Sequence, residues 1–389
     1  MDLKSRWESS LAPNYATPTL MLDHGKGVEV FDSHGKRYLD FLAGIAVSST
    51  GHAHPKVVAA IAAQAGRLMH TSNLYANEPA LGLAERLRAI TGYDKVFLSN
   101  SGAEANEAAL KTVRRHAHRK GKPEAVVLSL ENSFHGRTTG TVTLTAQAKY
   151  QKEFGPLPTQ IAHVRANHTA ALQKAFAEQP IAGIFLEPVQ GESGVRPLNA
   201  AFVQEAARLC KEHDALLVMD EIQTGVGRTG HFLAQEHFGV KADITTLAKG
   251  IASGMPLGVT LFSQATASLH EPGSHGSTFG GNPVAAAASL ATLDVIEGER
   301  LLQNATTTGA YLREQLLARV PGLKETRGLG LLVGAEFKEP VAKRVKADAE
   351  SAGLLVNAIG EHVLRLAPPL VVTREQCDEA VAILAKVAA

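Results

Sequence analysis

Two residues in this sequence stand where a charge is hard to place. Asp220 ends the apolar run ALLVMD, and Lys249 ends DITTLAK against Gly250, 249 − 220 = 29 positions later. Uninterrupted apolar runs of this length read as strands buried on both faces, the parallel kind found in α/β proteins. Open α/β sheets bind ligands beyond the carboxyl ends of their strands. Burying either charge without a partner is costly. A pyridoxal phosphate ring would partner both, with Asp220 at the pyridine nitrogen and Lys249 at the aldehyde carbon. The alternative is that both side chains simply reach solvent at strand ends, the usual fate of charged residues.

Three further segments follow apolar runs. In Asn100-Ser101-Gly102-Ala103-Glu104, S-x-x-E forms a capping box that explains the residues by itself. Gly102 also lets the backbone approach a ligand, and the free N–H groups with the helix dipole favour a phosphate. No GK[ST] follows, against a nucleotide P-loop. In Ser133-Phe134-His135-Gly136-Arg137, the aromatic could stack on a planar cofactor or belong to the core. Arg137 could clamp a carboxylate or lie on the surface. Glu187 and Glu192, within EPVQGE, form an acid pair or belong to a structured loop.

Other features exclude function classes. Gly225-Val226-Gly227-Arg228-Thr229-Gly230 matches G-x-G-x-x-G, but Glu221–Thr224 separates it from the strand, and it lies far beyond the first βα unit, against a dinucleotide site. His52/His54 and His116/His118 lack a third ligand nearby, so no metal is expected. Lys plus Arg number 39 against 38 Asp plus Glu, so no nucleic-acid partner is indicated. The basic run RRHAHRKGK ends a helix, where positive charge complements the dipole. The start MDLKSRWESS is polar, no run of about 18 apolar residues occurs, and the two cysteines lie far apart. A cytoplasmic protein without membrane contact is the expectation.

The elements that must position these groups follow from periodicity. A chain of 389 residues exceeds a single growing core. Residues 1–50 read as an N-terminal arm packing with the small domain, with a hairpin turning at Ser33-His34-Gly35. Residues 51–285 read as a large ligand-binding domain. Helices are expected over Pro55–His70, Pro79–Ile90, Ala103–Lys120 and Asn199–His213, and strands at KVFLSN, AVVLSL, IAGIFLEP, ALLVMD, DITTLAK and GVTLF. This alternation implies α/β architecture with a mostly parallel central sheet. Residues 286–389 read as a smaller C-terminal α+β domain, with helices at 301–319 and 373–387 and strands around LLVGAEF and VLRLAPP.

Taken in order, the motifs resemble those of the class III (ω-amino acid) aminotransferases, pyridoxal-phosphate enzymes of the aspartate aminotransferase fold (PLP fold type I). The resemblance runs nearly the whole length: GHAHP at 51–55, NSGAEANE at 100–107, FHGRT at 134–138, EPVQGE at 187–192, DEIQTGVGRTG at 220–230, LAKG at 247–250, HGSTFGGNP at 275–283 and RLAPPL at 365–370. It implies that Lys249 carries the cofactor and moves a proton, and that Asp220 keeps the pyridine nitrogen protonated. It places Gln223 at the ring oxygen, Phe134 and His135 in the cofactor site, and Ser101, Gly102 and Ala103 at the phosphate. Thr278 would reach the phosphate of a neighbouring subunit, which implies a homodimer with shared sites.

The resemblance further implies N2-acetylornithine as amine donor and the 2-oxoglutarate/glutamate pair as its partner. Arg365 would hold the α-carboxylate of glutamate, Glu192 would pair with Arg365 when the ω-amine donor is bound, and Arg137 would take the remaining carboxylate. Ser277, Tyr15 and Ile45 complete the substrate-contacting set. Relatives that accept free ornithine tend to carry tyrosine where this chain has Ile45, and some have threonine where it has Ala103. Ornithine, succinylornithine, acetyl-lysine or 4-aminobutyrate would use the same machinery. An aminomutase would not need 2-oxoglutarate, and a dinucleotide oxidoreductase would rest on Gly225–Gly230 alone.

Overall fold

Six of the short runs and one further strand form one sheet, in the spatial order Lys95–Ser99, Gly258–Phe262, Ile244–Leu247, Leu216–Asp220, Ile181–Leu186, Val126–Leu130 and Ile161–Val164. The computed structural model describes residues 2–158 and 160–389. Successive strand residues serve opposite faces, as the two-residue pleat requires. Leu128, Leu130, Ile184, Leu186, Leu217 and Met219 pack with Leu172, Phe176, Phe202 and Leu209 of the helices Thr169–Glu178 and Ala200–His213. Val127, Phe185, Val218 and Ile244 pack on the other side with Leu110 and Val113 of the helix Gly102–Arg119. Both faces are therefore covered, which is why the strands read as apolar without alternation.

The sheet is mostly parallel, as expected, but Gly258–Phe262 runs antiparallel to both neighbours. Its connection from Ile244–Leu247 spans only residues 248–257, shorter than the dozen or so residues of a parallel crossover. Elements not read from the sequence include the edge strand Ile161–Val164, the strand Leu323–Leu329, and the helices Leu3–Ser10, Thr139–Leu144, Thr169–Glu178 and Ala342–Ser351. The helix expected to reach His70 stops at Ala65, where Gly66 caps it.

Three smaller sheets lie outside this one among the described residues, one of them only the pair Val189–Gln190 and Arg196–Pro197. Leu323–Leu329, Leu332–Phe337, Val363–Leu366 and Asn357–Ile359 form an antiparallel sheet. The hairpin Glu29–Asp32 and Arg37–Asp40 pairs Phe31 with Arg37, and Asp32 closes its turn by accepting from the N–H groups of His34 (2.9 Å) and Lys36 (3.0 Å). Leu354–Leu355 joins Arg37–Asp40 in parallel. Among the described residues, no helix is long and apolar enough to cross a membrane.

The G-x-G-x-x-G segment is occupied by its own chain. A side chain at Gly227 (φ 89°) would meet Leu302 Cδ2 at 2.8 Å, and one at Gly230 (φ 96°) would meet Thr306 Oγ1 at 2.2 Å. Both glycines admit the helix Leu301–Arg319, and Arg228 between them donates to the carbonyl of Leu331 at 3.2 Å. They serve close packing, with no space left for a pyrophosphate. Gly230→Ala should lower unfolding stability by roughly 1–3 kcal/mol through overpacking and a positive φ, read from urea unfolding of the purified protein.

Candidate active site

The carboxyl ends of the parallel strands converge on one cavity of about 380 Å³, lined among others by Ser101, Gly102, Ala103, Phe134, His135, Arg137, Glu187, Glu192, Asp220, Gln223 and Lys249. Each group sits at a strand end or in the loop that follows, where an open α/β sheet exposes backbone and side chains to a ligand.

Asp220 is the last residue of its strand and is almost fully buried. Its Oδ2 accepts from Asn106 Nδ2 (2.7 Å) and lies 2.7 Å from His135 Nδ1, which must donate because a carboxylate only accepts. Its Oδ1 accepts from the N–H of Ile222 at 3.1 Å. Burial depresses the His135 imidazole, but the bond to Asp220 and the charges of Asp220 and Glu187 outweigh it, so its pKa is raised.

Glu187, also buried, accepts from the N–H of Phe134 at 2.9 Å. Burial pushes its carboxyl up to about 8, with His135 opposing and Asp220 adding to the shift.

Lys249 follows the strand Ile244–Leu247 and has φ 45°, in the left-handed region. For a side chain with a Cβ this conformation costs about 1–3 kcal/mol and persists only where surroundings enforce it. Burial lowers its amine below the ordinary lysine value; Arg365 adds to this, while Glu192, Asp220 and Glu187 oppose it. The amine is thereby moved toward the neutral, nucleophilic form.

The phosphate-favouring turn differs in detail from the expected capping box. Ser101 Oγ accepts from the N–H of Glu104 at 3.2 Å, but Glu104 reaches back to Asn100, accepting from its N–H at 2.7 Å, rather than to Ser101. A Cβ on Gly102 would meet Ile222 Cδ1 at 2.8 Å, and one on Gly258 would meet the Ser101 carbonyl at 2.2 Å. Glycine at both positions lets the turn sit against the cavity wall.

Glu192 pairs with Arg365 Nη1 at 2.5 Å, and Arg365 Nη2 donates to Asn357 Oδ1 at 3.4 Å. The guanidinium is only 2% exposed and its Nε is buried without a partner. Burial raises the Glu192 carboxyl, but the charge and bond of Arg365 hold it below the ordinary range. Arg137 is exposed at the rim, stacked 3.8 Å from the Tyr150 ring centroid and 5.7 Å from that of Phe134. Such stacking engages the faces of the guanidinium and leaves its N–H edges available.

The remaining sequence-derived candidates lie elsewhere. Tyr15 (74% exposed) and Ile45 (42% exposed) do not line the cavity, although Val47 does. Ser277 Oγ accepts from Asn100 Nδ2 at 3.0 Å, behind the turn. Thr278 is exposed and outside its own chain's cavity. Three nearby residues had no assigned role from sequence: Asn106, Thr246 and Tyr150. Asn106 lay inside the quoted NSGAEANE, and a polar residue in an alanine-rich helical face was its only signal. His52 is bound to Asp40 at 2.7 Å and His116 to the carbonyl of Asp214 at 2.8 Å, in separate places.

Pyridoxal phosphate fits these residues. Gln223 Oε1 is buried without a partner in the chain, and a side chain at Gly191 would come within 1.7 Å of it, so the loop is shaped to bring that carboxamide to the cavity. An acid, a lysine of lowered basicity and a helix N-terminus face the same space.

The profile of the aminotransferase class-III family matches residues 10–388. An acetylornithine aminotransferase of Bordetella bronchiseptica is 44% identical over 380 residues, covering 97% of this chain and 96% of that protein. That of Mycolicibacterium smegmatis is 46% identical over 381 residues, covering 97% and 96%. Among solved structures, an ornithine aminotransferase from Toxoplasma gondii with partially occupied pyridoxal phosphate at its active site superposes with TM-score 0.92 at 35% identity, covering 98% of this chain and 92% of that one.

Because the Glu187 carboxyl moves from 4.5 to about 8 on folding, its contribution is full below pH 4.5 and is lost as pH rises through about 8. Glu187→Gln should therefore flatten part of the fall in stability across that window, measured by urea unfolding at a series of pH values. An unchanged slope would show that Glu187 titrates normally.

Proposed function

We propose that this chain, which belongs to the class-III aminotransferases, transfers the δ-amino group of N2-acetylornithine to 2-oxoglutarate, giving N-acetylglutamate 5-semialdehyde and glutamate. The chain is a pyridoxal-phosphate-dependent aminotransferase, and the acetylornithine aminotransferases at 44% and 46% identity support this substrate pair. When bound, pyridoxal phosphate supplies an electron sink for the negative charge left when a proton leaves the amino-bearing carbon.

The chain's own residues divide the remaining work. Ser101, Gly102 and Ala103 hold the phosphate at a helix N-terminus. Phe134 would stack on the ring, His135 would stand in the cofactor site against the acid that serves it, Asp220 would keep the ring nitrogen protonated, and Gln223 would bond the ring oxygen. Lys249 would tether the cofactor and, once the substrate's amine has displaced it, its neutral amine would take the proton from the substrate carbon and deliver it to the cofactor carbon that had borne the aldehyde.

Arg365 and Glu192 answer the problem of two unlike substrates. A buried, unpaired arginine is expensive. Glu192 neutralises Arg365 while the acetylated donor is bound and yields to the α-carboxylate of glutamate. Arg137 takes the other carboxylate of glutamate or the single one of acetylornithine. The observation that carries this reading is the Glu192–Arg365 pair at 2.5 Å, set beside Lys249.

We extend the reading to a cytoplasmic homodimer. His70 and Phe279 pack ring to ring at 5.1 Å, Phe279 next to Thr278 in the chain, and Met69, Leu74, Tyr75 and Phe279 are all exposed. Large apolar side chains left exposed in number mark a contact site, and Thr278 would reach the neighbouring chain's phosphate from there. Two buried, unpaired cysteines fit a reducing compartment.

Lys249→Ala should lower transamination at least about 100-fold while pyridoxal phosphate still binds non-covalently; turnover like the wild type would remove the lysine's role. Glu192→Ala should slow the acetylornithine half-reaction by about 10-fold or more, and the glutamate half-reaction less. Loss of the cofactor's visible band reports each half-reaction, and equal slowing of both would remove the switch. A panel of acetylornithine, ornithine, 4-aminobutyrate and acetyl-lysine, ranked by bleaching rate, tests the substrate.

A further inference from the structure

Asn106 holds no role in the reading above, yet it is fully buried early in the Gly102–Arg119 helix. Asparagine is a poorer helix former than the alanines around it, and a buried carboxamide is tolerated only when its polar atoms are satisfied. Here they are. Nδ2 donates to Asp220 Oδ2 at 2.7 Å and to the His135 carbonyl at 2.8 Å, and Oδ1 accepts from Thr246 Oγ1 at 2.8 Å. These partners fix the amide's orientation, because the reverse would set Oδ1 against two acceptors.

We propose that Asn106 is a positioning residue for the reaction, which orients the Asp220 carboxylate so that its one open lone pair is presented to the ring nitrogen. This rests on the reading of Asp220 as that nitrogen's partner. A carboxylate oxygen offers about two lone-pair sites. Oδ2 fills both with Asn106 and His135, whereas Oδ1 takes only the Ile222 N–H. The ligand is thus directed to Oδ1, and Asp220 cannot turn without breaking the bonds on Oδ2.

The same carboxamide ties together three parts of the site. It belongs to the helix that opens at Gly102, it bonds the acid ending Leu216–Asp220, and it bonds Thr246 in the strand that leads to Lys249. The charged and titratable groups around Asp220 are His135, Glu187, Glu221 and Lys249. Asn106 adds a donor among them without adding a charge.

The test uses the reconstituted holoenzyme and follows the visible band of bound pyridoxal phosphate through a pH titration, with kcat and KM for both substrates. The band follows the proton on the nitrogen that joins Lys249 to the cofactor; with Asp220 less firmly held the ring is less often protonated and draws less charge from that nitrogen, so the midpoint moves to higher pH. Asn106→Leu should show this together with a kcat lower by about 10- to 100-fold, as for other residues that act by orienting a ligand-contacting group, and with little change in KM. Thr246→Val, which removes only the hydroxyl that locks the amide, should shift both readings the same way by less. Asp220→Asn should shift the midpoint furthest.

If Asp220→Asn shifts the midpoint while Asn106→Leu and Thr246→Val keep the wild-type midpoint and kcat, Asn106 is a structural residue only and the proposal is overturned, even if those variants melt at lower temperature. Should Asn106→Leu fail to fold, Thr246→Val decides by the same two readings. If Asp220→Asn leaves the midpoint in place, the reading of Asp220 fails and the proposal falls with it.

Discussion

A carboxylate at the end of a strand covered on both faces is the constraint on which the rest of this structure depends. Asp220 is removed from water with two donors on one oxygen and one on the other. Without them its ionised form would carry a desolvation cost of several kcal/mol. Supplying those donors requires the Gly102–Arg119 helix to pack at a set height, the loop after Val126–Leu130 to turn His135 inward, and Ile222 to fold back beside its own strand. Those same requirements place the helix start, Phe134 and Lys249 around one space.

Around that acid the charges are unequally matched. Arg365 has Glu192, and His135 has Asp220. Glu187 meets its burial by moving toward the neutral form, and Lys249 does likewise from the opposite direction. The cavity thus contains one acid held by three donors, one acid paired with a buried arginine, and one amine with lowered basicity. Pairs of groups whose environments push their protonation apart are where acid–base work is assigned.

What could be read from the sequence, and what could not, follows the same physics. Asp220 and Lys249 stand out because a charge interrupts an apolar run, and Ser101-Gly102 because a helix must begin there. The central strands are legible because burial on both faces leaves them almost purely apolar. The edge strand Ile161–Val164 and the charged strand Leu323–Leu329 are half-exposed and carry no such mark. Asn106 and Thr246 look like ordinary members of their elements, since their meaning lies in partners far away along the chain. Tyr150, in the short helix Ala148–Gln151, gains importance only from the guanidinium that lies over it. Gly225–Gly230 shows the converse: a pattern can be perfect while its glycines answer to a neighbouring helix.

The left-handed backbone at Lys249 has a cost that outlasts any single turnover. A residue with a Cβ is held where glycine alone would rest easily, so the peptide unit that must carry the amine is also one at which the folded chain is under tension. Glycine here would relax the backbone but remove the buried amine that faces the cavity, so what would steady the fold would also strip the site.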